Sequence, residues 1–196
     1  MKGAEISSGR EKLMKTLCRN ALAELNQVID KLDENNCDQA VDVISSAHRI
    51  ALYGVGREGL QIKGFAMRLF HLGLKVSVVG DMTTPPLGKG DLLIVSAGPG
   101  YFSTVSALIE TASKAGATTL CITAQRDGAS ARAADHVLVI PAQTMADDMG
   151  AKTSTLPMGS LYEGAQYVVF ECLILKLRQV LAVSTDNMRQ NHTNLE

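Results

Sequence analysis

The chain begins with a long stretch in which apolar residues recur every three or four positions. Between Glu11 and Leu32 these residues share one face of a predicted helix: Leu13, Leu17, Ala21, Leu25, Val28, Ile29 and Leu32. Asn35 and Asn36 end the pattern, and residues 38–47 predict a short second helix. A long amphipathic helix must bury its apolar face, so we expect half of that face to pack on the parent domain and half on a second copy.

Short, continuous apolar runs then alternate with helical segments. The runs that predict strands are residues 49–53, 75–79, 91–96, 118–123 and 136–140. The helical patterns between and after them cover residues 59–71, 103–115 and 160–183. Because the strands are apolar throughout, they predict an α/β fold with a parallel sheet covered by helices on both faces. We expect the polar tail, residues 188–196, to be disordered unless it docks on the rest of the protein.

Composition narrows the class of protein. The chain has 196 residues, of which 46% are hydrophobic, as expected for one globular domain. With 19 Lys and Arg against 20 Asp and Glu, the net charge of -1 offers no basic surface for nucleic acid. A membrane-spanning run and a signal peptide are both missing from the sequence, which predicts a cytoplasmic protein with no membrane partner. Four widely spaced cysteines predict buried thiols rather than disulfides or metal ligands: Cys18, Cys37, Cys121 and Cys172.

A glycine-rich turn follows the first predicted strand. Gly54, Gly56 and Gly59 match the pattern GxGxxG, and Asp81 lies 22 residues after Gly59, directly after the second strand. This spacing is close to that of a dinucleotide-binding Rossmann fold, in which such an acid binds the ribose. Any tight strand-to-helix turn also favours glycine. The pattern alone therefore leaves two interpretations open, an NAD-binding domain and a turn without a ligand.

Other segments carry more distinctive motifs. They are residues 54–57 (GVGR), 65–73 (FAMRLFHLG), 79–85 (VGDMTTP), 157–163 (PMGSLYE) and the closing residues 191–196 (NHTNLE). Together they resemble the sugar isomerase (SIS) domain family, and within it they are most similar to the 6-phospho-3-hexuloisomerases.

That resemblance implies a fold, an assembly and an activity. The fold is a single SIS domain over residues 1–196, with a five-stranded flavodoxin-like sandwich. Its parts are N-terminal helices at 8–47, an α/β body at 48–184 and a polar tail at 185–196. The assembly is a homotetramer built from dimers. The activity is isomerisation of a 3-ketohexose 6-phosphate to fructose 6-phosphate, without a cofactor.

Two residues are candidates for the chemistry. The resemblance implies that Glu163 is the base, because one carboxylate can remove a proton beside a carbonyl and return it to the neighbouring carbon. Ser160 and Glu163 also form an S-x-x-E capping box, so capping of the last helix is the competing interpretation. The resemblance implies that His71 is the proton shuttle between substrate oxygens. The competing interpretation is an ordinary histidine at the end of a helix. Family sites lie near subunit interfaces, so we expect His71 to meet Glu163 of a neighbouring subunit.

The remaining candidates would bind the substrate. They are Gly56, Arg57, Thr83, Ser96, Gly98, Ser103 and Thr104. Each has a simpler alternative. Arg57 could be an ordinary solvated side chain. Thr83 could merely shape the turn before the prolines. Ser103 and Thr104 could cap the helix that they open instead of binding an anion.

The turn after the third strand departs from the family pattern. The family has a serine-rich S-G-S-G-E-T turn that holds phosphate, whereas residues 96–101 read SAGPGY. Only Ser96 of that turn remains: Ala97 replaces a glycine, Tyr101 takes the place of the threonine, and Pro99 removes a backbone donor. Glu58 stands where the family usually has serine, and its charge would repel a phosphate at close range. This departure leaves a second function open, an SIS module that binds a sugar derivative or regulates without catalysis. No metal site is expected.

Overall fold

The computed structural model describes residues 2–149 and 153–195. Its elements, in chain order, are α1 (Lys2–Ile29), α2 (Glu34–Ser46), β1 (Ile50–Gly54), α3 (Gly56–His71), β2 (Val76–Val78), β3 (Leu92–Ser96), α4 (Ser103–Lys114), β4 (Thr118–Thr123), α5 (Ala129–Ala133), β5 (His136–Val139), α6 (Ser160–Val180) and α7 (Thr185–Gln190). The five predicted strands are all confirmed, and β4 has the bounds that its apolar run predicted.

The five strands form one parallel sheet in the order β2-β1-β3-β4-β5. Ile50 of β1 is paired with Val76 on one side and with Leu92 on the other. The chain thus adds β2 on one side of β1 and then adds β3, β4 and β5 on the other side. The topological switch point therefore lies between β1 and β3. This is the flavodoxin-like order. A Rossmann sheet places its first strand between the second and the fourth, so the Rossmann interpretation of the glycine pattern is wrong.

Helices cover both faces of the sheet, as the continuous apolar strands predicted. On one face, α2, α3 and α6 pack on side chains such as Leu52 and Ile94. On the other face, α4 and α5 pack on Leu93 and Val95. Successive residues of a strand point to opposite faces, so β3, which is buried at every position, contributes to both layers of the core. Because helices cover both faces, the site must lie at the edge of the sheet where the strands end.

Helix α1 is packed along only part of its length. Val28 is buried, and Leu25 and Ile29 pack beside it against the core. Nearer the N-terminus, Leu13 is 59% exposed and Leu17 of the same face is also exposed. The prediction that the parent domain covers half of the apolar face agrees with this division. The prediction that a second copy covers the other half stays a prediction.

The C-terminal tail is docked, and part of it is helical. Ser184 caps α7 by accepting a hydrogen bond from the Asn187 amide at 3.1 Å. The Asn191 side chain donates to the carbonyl oxygen of His71 at 3.0 Å, and the His192 ring stacks on the His71 ring with centroids 5.0 Å apart. These contacts join the tail to the C-terminal end of α3, so docking replaces the expected disorder.

The cysteines do not all follow the prediction. Cys37 and Cys121 are buried, whereas Cys18 and Cys172 are exposed, and none of the four forms a disulfide. The prediction of buried thiols was therefore wrong for two of the four, because α1 and α6 are each partly uncovered. Separately, none of the helices in the described part of the chain is long and apolar enough to cross a membrane.

Candidate functional site

The glycine turn brings α3 unusually close to β1. A Cβ on Gly59 would lie 2.5 Å from the carbonyl oxygen of Gly54, and a Cβ on Gly54 would lie 3.0 Å from the Cα of Gly59. Gly56 begins the helix with a φ of 57°, in the left-handed region that favours glycine. Close packing and backbone conformation thus explain the GxGxxG pattern, and the turn places residues 57 and 58 at the switch point.

The turn after β3 lies beside the glycine turn. The Ala97 amide donates to the carbonyl of Ile122 at 2.9 Å and continues the sheet ladder by one residue. The Gly100 amide then donates back to the Ala97 carbonyl at 2.8 Å and closes the turn. The hydroxyl of Thr123 donates to the same carbonyl at 2.7 Å. Hydrogen bonds to β4 therefore hold the main chain of this turn in place.

Glu58 occupies these donors. Its Oε2 atom accepts a hydrogen bond from the Ser96 hydroxyl at 2.5 Å and another from the Gly98 amide at 2.9 Å. The side-chain amide of Gln166 donates to the Ser96 oxygen at 2.8 Å. Glu58 is only 8% exposed, and Ser96 is fully buried. We define the switch-point cluster as Arg57, Glu58, Ser96, Gly98 and Glu163.

The groups around Glu58 favour protonated forms. Burial raises the pKa of the Glu58 carboxyl, and the hydrogen bonds from Ser96 and Gly98 only partly oppose this effect. Burial, with the nearby charge of Glu58, also raises the pKa of the Tyr162 phenol well above its ordinary value. The same two causes raise the pKa of the Cys121 thiol to about 12. Glu58, Tyr162 and Cys121 thus form the inner side of the cluster, and each of them is either neutral and protonated or negatively charged.

Glu163 lies on the outer side of the cluster, in the first turn of α6. It is 9% exposed and forms an ion pair with Arg57, whose guanidinium also donates to the Ser160 hydroxyl at 2.7 Å. The N-cap of α6 is Gly159, with a φ of 80° and no side-chain capping hydrogen bond. The capping-box interpretation was therefore wrong, because Ser160 is already inside the helix and its hydroxyl accepts from Arg57.

Opposing effects act on the pKa of the Glu163 carboxyl. Burial raises the pKa of its carboxyl, the Arg57 charge and hydrogen bond lower it, and the nearby Glu58 raises it further, so that the net direction is upward. A carboxylate whose pKa lies above its ordinary value is a better proton acceptor, which suits a general base. The arrangement can thus remove a proton from a substrate carbon placed beside Glu163.

The structure separates His71 from Glu163 within one chain. Arg57, the ion-pair partner of Glu163, is at the N-terminal end of α3, whereas His71 is the last residue of this 16-residue helix. At 1.5 Å per residue, the two ends are about 22 Å apart. His71 is buried beneath the tail and stacks on His192. A shared role for His71 and Glu163 therefore requires a second copy of the chain, and the shuttle role of His71 stays a prediction.

The other candidate ligands lie outside the switch-point cluster, and Thr83 lines a different pocket together with Arg49 and Gly73. Thr83 is exposed after β2, and the neighbouring Thr84 hydroxyl donates to the Val78 carbonyl at 2.7 Å, which supports a role in shaping that turn. Ser103 and Thr104 are exposed at the start of α4. The N-cap of α4 is residue 102, without a side-chain hydrogen bond, so the capping interpretation of Ser103 and Thr104 was wrong.

Sequence reasoning missed two residues of α6 that line the inner side of the cluster. The Tyr162 hydroxyl and the Oε1 atom of Gln166 are buried and have no hydrogen-bond partner among the described residues. The two residues are four positions apart and share the apolar face of α6 with Ala165 and Val169. A glutamine on an otherwise apolar helix face was the signal that could have found them, because buried polar groups normally serve a partner.

Acidic residues before α6 stabilise loops. Asp147 accepts from the Thr144 amide at 2.7 Å, and Asp148 accepts from the Met158 amide at 2.8 Å. Within residues 2–149 and 153–195, no group of three or more His, Cys, Asp or Glu side chains is placed to hold a metal ion. The described part of the site is therefore a set of carboxylates, hydroxyls, amides and one arginine.

Comparison with known proteins agrees with this architecture. Residues 43–164 match the SIS domain family. A protein named 3-hexulose-6-phosphate isomerase from Bacillus subtilis is 34% identical over 178 residues, which cover 89% of this chain and 95% of that protein. A protein of the same name from Mycobacterium gastri is 38% identical over 173 residues, with coverage of 88% and 86%. A solved structure from Methanococcus jannaschii, for which the molecular function of 3-hexulose-6-phosphate isomerase was inferred, has a TM-score of 0.77 at 29% identity and covers 94% of this chain and 99% of its own. This chain therefore belongs to the SIS domain family.

Proposed function

We propose that this chain is a sugar-phosphate isomerase that converts a 3-ketohexose 6-phosphate to fructose 6-phosphate. The observation that carries the proposal is the largely buried Glu163 carboxylate, paired with Arg57 at the switch point of the sheet. Ligands of open parallel sheets bind at such points. The names of relatives that are 34% and 38% identical to most of the chain support the substrate class.

The proposed reaction moves a carbonyl from C3 to C2. Glu163 removes the proton on C2, and the electron pair of that bond forms the C2–C3 double bond of an enediol while the C3 oxygen takes a proton. Glu163 then returns its proton to C3, and loss of the proton on the C2 oxygen completes the new carbonyl. One base therefore serves both carbons. His71 from a second copy is the proposed carrier of the proton between the two oxygens.

The remaining roles follow from position. Arg57 is proposed to orient Glu163 and to face a substrate oxygen, since its side chain is more than half exposed while it holds the carboxylate. The proposed substrate contacts are Gly56 at the start of α3, Ser103 and Thr104 at the start of α4, and Thr83 in the loop after β2. The proposed protein is a homo-oligomer, a dimer or a homotetramer built from dimers, that needs no cofactor, as the family resemblance implies. We also propose that it is cytoplasmic.

One observation favours a second candidate function. Glu58 already fills the donors of Ser96 and Gly98, where the family resemblance places the phosphate. A chain with this feature could bind a sugar derivative without turning it over and act as a regulatory SIS module. Binding of fructose 6-phosphate by a protein that does not convert 3-hexulose 6-phosphate would support the module and contradict the isomerase.

The test of the isomerase is the Glu163→Gln variant. The assay follows the formation of fructose 6-phosphate from 3-hexulose 6-phosphate, and we expect kcat to fall by about 10²- to 10⁴-fold, the usual contribution of a positioned general base. Binding of fructose 6-phosphate, measured by calorimetry, should persist because the glutamine keeps the shape of the side chain. The matched control is Glu110→Gln, which changes an exposed α4 carboxylate paired with Lys114. Full activity of Glu163→Gln would contradict the role of Glu163 as the base.

A further inference from the structure

The turn after β3 has the form of an anion site that is already filled. The Ser96 hydroxyl and the Gly98 amide converge on a single oxygen atom, at 2.5 and 2.9 Å. A hydroxyl and a backbone amide that point at one place suit a carboxylate or a phosphate oxygen. The oxygen that they bind belongs to Glu58, which comes from the glycine turn on the neighbouring strand.

The surrounding residues fix the direction of these donors. Gln166 donates to the Ser96 oxygen, so the single hydroxyl proton of Ser96 is left for Glu58. Position 98 admits only glycine, because a Cβ there would lie 2.7 Å from Glu58 Oε1 and 2.7 Å from a ring carbon of Tyr162. The turn therefore presents these two donors to one oxygen atom in a fixed arrangement.

Two hydrogen bonds hold Glu58 in the turn, and no ion pair does so among the described residues. Both come from neutral donors, and burial raises the pKa of the carboxyl. The titratable groups that face it are Tyr162 and Glu163 on α6 and Cys121 on β4, none of which is a cation. Arg57, the neighbouring cation on its own helix, is paired with Glu163. Among the described residues no cation is thus paired with the Glu58 carboxylate, and its departure from the turn breaks the two hydrogen bonds to Ser96 and Gly98.

We propose that Glu58 is a specificity-determining residue, an internal competitor whose carboxylate must leave Ser96 and Gly98 before the phosphate of a substrate binds there. The proposal rests on the proposed function, because it concerns the phosphate of the same substrate. Two anions cannot share the turn, since like charges in contact repel strongly. A free phosphate ion gains little beyond the two donors, whereas a sugar phosphate also contacts the rest of the switch-point cluster. Glu58 therefore selects against small free anions.

The test measures binding to the Glu58→Ser variant, in which the shorter side chain leaves both donors free. Calorimetry gives the Kd of inorganic phosphate and of fructose 6-phosphate at pH 8. We expect Glu58→Ser to bind inorganic phosphate at least tenfold more tightly than the unmodified protein, with a smaller gain for fructose 6-phosphate. The control is Glu110→Ser, which makes the same change in net charge on exposed α4 and should leave both Kd values unchanged.

A second variant covers the case in which Glu58→Ser does not fold. Glu58→Gln keeps the shape and removes the charge, so it should bind inorganic phosphate several-fold more tightly than the unmodified protein. The gain should shrink as the pH falls through the raised pKa of Glu58, because the unmodified carboxyl then becomes neutral too. The ionisation of phosphate itself cancels in the ratio of the two affinities. A purely structural glutamate would not produce this pH profile.

The outcomes separate this inference from the proposed function. Equal or weaker phosphate binding by both Glu58 variants would overturn the inference, and so would a complete failure of all the proteins to bind phosphate. Tighter binding without any turnover of 3-hexulose 6-phosphate would support the inference while removing the isomerase. Turnover without any change in affinity would leave the isomerase and remove the inference.

Discussion

Replacing Gly59 with alanine tests how the glycine turn positions the site. An alanine Cβ would lie 2.5 Å from the Gly54 carbonyl oxygen and 3.1 Å from its carbonyl carbon. Close carbon–oxygen contacts in proteins begin at about 3.3 Å, so α3 must move away from β1 by roughly 0.8 Å. Both clashing atoms belong to the main chain, and no side-chain rotation can relieve the contact.

The expected loss of stability follows from this geometry. Overpacking costs about 1–3 kcal/mol, and a clash with backbone belongs at the upper end, about 3 kcal/mol. Alanine in place of glycine inside a helix recovers about 0.5–1 kcal/mol, which leaves a net loss of about 2 kcal/mol. For a domain of this size each kcal/mol lowers Tm by roughly 2–4 °C, so Gly59→Ala should lower Tm by about 4–8 °C.

Gly64 on the same helix provides the matched control. A Cβ at this position meets nothing within 4 Å, so Gly64→Ala gains the helix preference without a clash and should raise Tm by about 1–4 °C. Thermal unfolding of both variants, followed by circular dichroism at one protein concentration, measures the two shifts. Shifts in the same direction, or a Gly59→Ala variant as stable as the unmodified protein, would refute the reasoning.

Two further predictions concern contacts far from the glycine turn. Burial acts to raise the pKa of Asp91, but hydrogen bonds from Arg49 and the Gly88 amide, with the Arg49 charge, lower it more. Asp91→Asn should therefore lower the free energy of unfolding by about 1.5–3 kcal/mol at pH 7. The difference between the two proteins should vanish as the pH falls through this lowered pKa, because the unmodified protein then loses the same charge. Urea unfolding between pH 7 and pH 2.5 measures this difference, and a difference that does not change with pH would contradict the ionic role. Asn191→Ala removes the hydrogen bond to the His71 carbonyl, worth about 1 kcal/mol, so limited proteolysis should cut the tail faster without a change in global Tm. An unchanged cleavage rate would show that other contacts hold the tail.

The sequence by itself determined the class of fold and the segments that build it. Continuous apolar runs located all five strands, and β4 has the predicted bounds. The three-and-four spacing located α1, although the structure extends it to Lys2 and ends it at Ile29. These predictions succeed because strand and helix periods are local properties that a short window of residues expresses. The motifs around Arg57 and Glu163 likewise pointed to the edge of the sheet where the structure brings these two residues together.

Only the tertiary structure decided what each polar side chain near the switch point does. Ser160 and Glu163 form a capping box by spacing, but a left-handed Gly159 begins the helix and the Ser160 hydroxyl accepts from Arg57 instead. Glu58 was expected to face an incoming phosphate, and it folds inward onto Ser96. A local pattern could not reveal either result, because each depends on a partner supplied by a distant segment.

The physical reason is the separation in sequence of the groups that meet. Glu58 reaches Ser96 across 38 residues, and Gln166 reaches Ser96 across 70. The order of the strands brings β1 beside β3, and that pairing exists only once the sheet has formed. The sequence thus specified the elements and the residue types at the edge of the sheet. The assembled sheet decided that the Glu58 carboxyl accepts hydrogen bonds from the donors of the turn after β3.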